Sequence, residues 1–190
     1  LAIRVCHHQD VAKHFANGVF WIEVGQHAAD TARSVVQQVF GMVHKAVANE
    51  PKVDEMKDQL DKIKAAVAGT VSLFYFDDVW SVGDVRQAMD SIRLSAPKSK
   101  ILLTTRDLQV STRLKALPHP IDALPIEAAE AMLKDYAPAD VRADWSQAKA
   151  CAIAEQCGRL PVVLAVIGAA LSSYSLTEML EKVNQSLEHL

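Results

Sequence analysis

The chain has little of what most function classes require. Its 190 residues hold three cysteines, Cys6, Cys151 and Cys157. That number and spacing make neither a disulfide framework nor a zinc motif, and they suit a reducing compartment. Charge of one sign is missing too: the net charge is −3 and the pI near 6.2, so there is no basic footprint for duplex nucleic acid. The longest apolar stretch, Val162 to Leu171, falls short of the roughly 20 residues a bilayer span needs. No basic segment followed by an apolar core opens the sequence, so no secretory signal is expected there. Gly-x-Ser-x-Gly, the elbow of a serine hydrolase, does not occur. None of the seven glycines is followed by lysine, so the phosphate-cradling loop Gly-x-x-x-x-Gly-Lys-Ser/Thr is not among these residues.

What is present is half hydrophobic and 23% charged, a composition for a globular chain of one domain or one and a half. Its most telling segment is Leu73-Phe74-Tyr75-Phe76-Asp77-Asp78-Val79-Trp80. Apolar residues run without interruption until two carboxylates arrive together. Such a run fits a strand buried on both faces of a parallel sheet. Ligands of open α/β sheets lie just beyond the carboxyl ends of the strands, and Mg²⁺ prefers hard oxygen donors while keeping several of its waters. The alternative is an acidic turn after a core strand.

Lys100 to Arg106 reads as another buried strand, with the signal Thr104-Thr105-Arg106-Asp107 at its tip. A guanidinium there matches phosphate oxygens; equally, Arg106 could pair with Asp107 or Asp78. Val19 to Gly25 follows Asn17-Gly18 and reads as a strand after a turn. His119 to Leu124 reads as a further short strand. Helical spacing covers Leu1–Cys6, Ala28–Val47 and Val53–Ala68, with a break at Pro51 and a stop at Gly69. Past Pro125 four helical stretches follow, Glu127–Tyr136, Val141–Cys157, Pro161–Leu171 and Leu176–Leu187. The composition change divides the chain into an α/β domain, residues 1–124, and a helical one, residues 125–190. Cys6, His7, His8 and His14 are expected at the surface rather than on a metal, because adjacent ligands on a helix diverge. Cys151 and Cys157 are expected to be core thiols, and Trp145 to sit on the apolar face of its helix.

The three signals, in this order, resemble the NB-ARC module of STAND-class P-loop NTPases, known from plant immune receptors and apoptosome adaptors. Leu73 to Trp80 is similar to its Walker B motif and Lys100 to Arg106 to its sensor-1 strand. Cys157-Gly158-Arg159-Leu160-Pro161 is similar to its GLPL motif, with Arg159 and Val162 as departures. Phe20 to Val24 resembles the first strand after the P-loop helix, and Leu1-Ala2 the dipeptide that follows the loop. The resemblance therefore implies a fragment: a P-loop NTPase-type parallel sheet lacking its first strand and P-loop, followed by an ARC-type all-α subdomain.

It also implies roles. Asp77 would hold Mg²⁺ through water, Asp78 would polarise the attacking water, Arg106 would sense the γ-phosphate, and Leu160 and Pro161 would lie against the nucleotide. Implied with them are an ADP-bound off state, an ATP-bound oligomeric on state, slow hydrolysis at most, sensor and effector domains as partners, and a cytoplasmic setting in defence or cell-death signalling. Neither membrane nor nucleic acid is expected as a partner. The alternatives are a turnover AAA-type ATPase and a nucleotide-free interaction module. Placing the absent strand between the Walker B and sensor strands would leave both unpaired, and about ten lost ladder hydrogen bonds at 0.5–1.5 kcal/mol each rival a domain's whole stability. On that premise the isolated chain is expected to fold poorly.

Overall fold

A computed structural model describes residues 2–26, 31–43 and 55–187. The chain forms two compact units, Leu1–Pro118 and His119–Leu190. In the first, short helices α1 (Ala2–Cys6) and α2 (Gln9–His14) precede strand β1 (Val19–Glu23), and helices α3 (Thr31–Val43) and α4 (Met56–Val67) lead to strand β2 (Leu73–Asp77). Helix α5 (Val82–Ser95), strand β3 (Lys100–Leu103) and helix α6 (Leu108–Arg113) complete it.

The three strands are parallel in the order β1-β2-β3, with Trp21 opposite Tyr75 and Phe76 opposite Leu103. Side chains alternate across β2 as the pleat requires. Phe74 and Phe76 enter a core with Val35, Val36 and Val39 of α3, Ile63 of α4 and Met89 and Ile92 of α5. Leu73 and Tyr75 face the other way, toward Cys6, Val11 and Phe15. Both faces are covered, which is why β2 has no charged residue before its tip. On the outer side of β1, the Gln38 amide accepts from Glu23 N–H at 3.1 Å and donates to Glu23 C=O at 2.8 Å, so one edge residue is satisfied by a side chain.

Several expectations need correction. The acidic strand and the arginine-tipped strand pair directly with each other, so no strand belongs between them and the premise for poor folding fails. His119–Leu124 is not a strand: Pro120 has no N–H to give a ladder, and Leu124 N–H instead bonds Arg159 C=O at 3.2 Å. Cys6 is buried behind β2 instead of lying at the surface, whereas His7 and His8 are exposed. The expected helix ends at 28–30, 44–47 and 53–54, and the Pro51 break, lie outside the described residues.

The second unit contains α7 (Ile126–Tyr136), α8 (Ala139–Ala143), α9 (Gln147–Gln156), α10 (Pro161–Ala170) and α11 (Leu176–Leu187). The single helix expected over Val141–Cys157 is thus two, interrupted at Asp144-Trp145-Ser146. Trp145 lies in the break, half-buried against the core of Leu133, Ile153 and Leu171, with its indole N–H donating to Glu130. Helix α7 packs on α9 and α10, and α9 on α11. Gly168 permits the approach of α7 and α10: a Cβ there would sit 2.6 Å from Tyr136 Cβ and 2.9 Å from Leu133 C=O. Ser175 and Glu178 form a reciprocal cap on α11, Ser175 N–H donating to the carboxylate at 2.8 Å and Glu178 N–H to the hydroxyl at 3.3 Å.

Candidate functional site

The parallel register brings the tips of β2 and β3 together. Asp77 ends β2, and Asp78 then turns into the left-handed region at φ +54°, a conformation that Asp tolerates better than most residues. The turn aims two successive amides at Thr104. Asp78 N–H donates to Thr104 Oγ1 at 2.9 Å, and Val79 N–H to Thr104 C=O at 2.8 Å. Thr104 N–H in turn donates to Phe76 C=O at 3.0 Å. The two strand tips are therefore tied by backbone and side chain together.

The side chains of that junction form one network. Tyr75, 1% exposed, lies two residues before Asp77 and on the same face of the strand. Its hydroxyl donates to Asp77 Oδ1 at 2.9 Å. Thr104 Oγ1 donates to the same oxygen at 2.7 Å. Asp78 is engaged differently: Trp80 Nε1–H donates to its Oδ2 at 2.9 Å, and Arg106 Nε lies 3.6 Å from its Oδ1. The guanidinium also stands 5.3 Å from the Trp80 ring centroid, within cation–π range.

Of the two carboxylates open to Arg106 in the sequence, the partner is Asp78. Asp107 serves elsewhere, capping α6 by accepting from Gln109 N–H at 2.8 Å. The Arg106 side chain is 77% exposed, and ion pairs at such sites contribute about 0–1 kcal/mol. It is a charge held lightly and open to an anion.

Leu160 and Pro161 lie in the second unit. Gly158 and Arg159 take consecutive left-handed conformations at φ +63° and +53°, after which Leu160 caps α10 and Pro161 opens its first turn. Both Leu160 and Pro161 are exposed. Tyr75, Thr104 and Trp80 were not singled out from sequence as site residues. The readable signal for Tyr75 was a hydroxyl two positions before an aspartate in an otherwise apolar strand.

The donor set suits a hard cation. Two hydroxyls converge on Asp77 Oδ1, and among the described residues none donates to Oδ2, leaving an anionic oxygen at the strand tip as Mg²⁺ ligation prefers. A parallel sheet with helices on both faces, its carboxylates and guanidinium gathered where the strands end, is an α/β domain of P-loop NTPase-like fold, followed here by a helical part. The NB-ARC domain profile matches residues 1–140. The chain belongs to the NB-ARC family, whose members are nucleotide-binding, signalling-type NTPases. The match takes in Asp77, Asp78 and Arg106 and ends before Cys157–Pro161. A search of curated proteins finds no match. Among the described residues, no helix is long and apolar enough to cross a membrane.

Proposed function

We propose that this chain is part of an ADP/ATP switch, closed with ADP and open with ATP, in which Arg106 registers the γ-phosphate and Asp77 holds Mg²⁺ through water. The observation that carries the reading is the pairing of Arg106 with Asp78 at the tips of adjacent strands: an exposed guanidinium rests beside the second of two successive carboxylates. A bound Mg²⁺ would offset phosphate charge. A γ-phosphate offers Arg106 a stronger, bidentate partner than the Asp78 contact at 3.6 Å. A ligand shifts a two-state equilibrium only by its differential affinity, and Arg106 is placed to supply that difference.

The same geometry favours a switch over a turnover ATPase. Asp78, the residue proposed to polarise water, has one oxygen occupied by the Trp80 indole N–H at 2.9 Å, which suits slow hydrolysis. Residues 125–190 act in this reading as an ARC-type subdomain. The ATP form oligomerises and signals through flanking sensor and effector domains, in cytoplasmic defence or cell-death signalling. Equilibrium binding of ATP and ADP to the protein as its host cell makes it tests the assignment. Losing a charge-assisted contact, Arg106→Ala should weaken ATP roughly 10- to 100-fold and leave ADP nearly unchanged. Equal losses for both nucleotides would refute the role of Arg106.

A further inference from the structure

Asp77 receives two hydroxyl protons on one oxygen, and neither donor was singled out by its motif. A tyrosine hydroxyl buried in a strand must find an acceptor, because an unpaired one forfeits its hydration. Tyr75 finds Asp77 Oδ1 at 2.9 Å, with Thr104 Oγ1 farther off at 3.3 Å. Thr104 has a single proton, which it gives to Asp77 Oδ1 at 2.7 Å, and its lone pair takes Asp78 N–H at 2.9 Å. Each donor is itself fixed. The Tyr75 ring is packed with Cys6 and Leu73 and lies 4.1 Å, centroid to centroid, from Trp21; Thr104 N–H is tied to Phe76 of β2 and its C=O to Val79 just beyond the strand.

We infer that Tyr75 and Thr104 are positioning residues, which clamp Asp77 Oδ1 so that Oδ2 alone is presented to a divalent cation. The inference rests on the proposed role of Asp77 in holding the metal. A carboxylate clamped through one oxygen cannot turn to chelate with both, and its rotamer is selected before any ligand arrives. Partners of this kind behind a metal ligand affect affinity by about 10- to 100-fold. The clamp also couples the strands. The Thr104 hydroxyl that orients Asp77 accepts from the amide of Asp78, so the metal-facing carboxylate and the Arg106-facing carboxylate share one anchor.

The test is a Mn²⁺ titration of the full 190-residue chain without nucleotide, followed by paramagnetic broadening of the amide signals of residues 77–80 and 104–106. Tyr75→Phe keeps the buried ring and Thr104→Val keeps the shape, so both remove a hydroxyl and little else. Each should weaken Mn²⁺ about tenfold, Thr104→Ser should restore near-normal affinity, and Asp77→Asn should abolish the site-specific broadening. A merely structural role would lower the urea midpoint while leaving the affinity of the folded protein intact. If Asp77→Asn abolishes binding but Tyr75→Phe and Thr104→Val do not weaken it, the clamp is overturned and the metal role of Asp77 stands. Broadening that survives Asp77→Asn unchanged overturns both.

Discussion

Tyr75 shows at the scale of one residue how a core position becomes part of a site. Burial, opposed by the Thr104 contact and reinforced by the Asp77 contact and charge, pushes its phenol up to about 12 from an ordinary 10. A raised folded value stabilises the neutral form in the native state. The contribution is therefore complete below pH 10 and is lost as pH rises from 10 through 12, where the unfolded chain releases a proton that the native one keeps. An alkaline titration followed by tyrosinate absorbance should show a late step near pH 12, coincident with loss of structure if unfolding comes first, and Tyr75→Phe should lack it. A Tyr75→Phe trace identical to that of the parent would mean the hydroxyl is not so held. The position of Asp77, Asp78 and Arg106 near the strand ends was legible from residue type, because charge at the end of an apolar run is conspicuous; their roles remain proposals. Their partners were not legible, because which acceptor Tyr75 meets and which carboxylate Arg106 chooses depend on the register between β2 and β3.

Elements were legible where period and punctuation agreed. β2 and β3 announced themselves by apolar runs ending in charge, β1 by a β-branched and aromatic run after Asn17-Gly18, and α10 by Gly158 before it and Pro161 at its start. The expected helix over Val141–Cys157 failed because helical spacing of Val141, Trp145 and Ala148 continues across a break that the tertiary contacts of Trp145 impose. Two helical glycines give opposite forecasts. Gly168→Ala puts a methyl 2.6 Å from Tyr136 Cβ and 2.9 Å from Leu133 C=O, atoms that no rotamer change can move, and should destabilise by about 1–2 kcal/mol. Gly41 in α3 has nothing within 4 Å of the added atom, so Gly41→Ala should stabilise by about 0.5–1 kcal/mol. Urea unfolding of the two variants, read by helical circular dichroism, checks both, and shifts of the same sign would contradict the contrast.

For the molecule as a whole, strand patterns disappear from the sequence after Pro125, while the compact units divide between Pro118 and His119. Strand order could not be read from the sequence. Nothing in the residues of Leu73–Asp77 says which neighbour lies beside it, since the crossover connections decide that, and the direct pairing of β2 with β3 reverses the expectation of an intervening strand. Each unit has its own apolar core, Ile22, Phe74, Phe76 and Met89 in one and Leu133, Ile153, Leu164 and Leu171 in the other. A polypeptide of residues 119–190 should accordingly fold alone, with a cooperative thermal transition in its helical signal; a featureless melt of that polypeptide would show that its core is insufficient.

Trp80 gives the tip of β2 a further property. Its indole nitrogen is tethered to Asp78, its ring lies beneath the Arg106 guanidinium, and it is 39% exposed. The other two tryptophans have surroundings of their own, Trp21 against Tyr75 and Trp145 beside Glu130 and Lys134. Indole emission responds to a cation resting on the ring and to a hydrogen bond at its nitrogen, so withdrawal of Arg106 from Trp80 alters the colour and yield of one fluorophore of the three. If Arg106 moves to a phosphate as proposed, Trp80 would serve as a native optical gauge of that move.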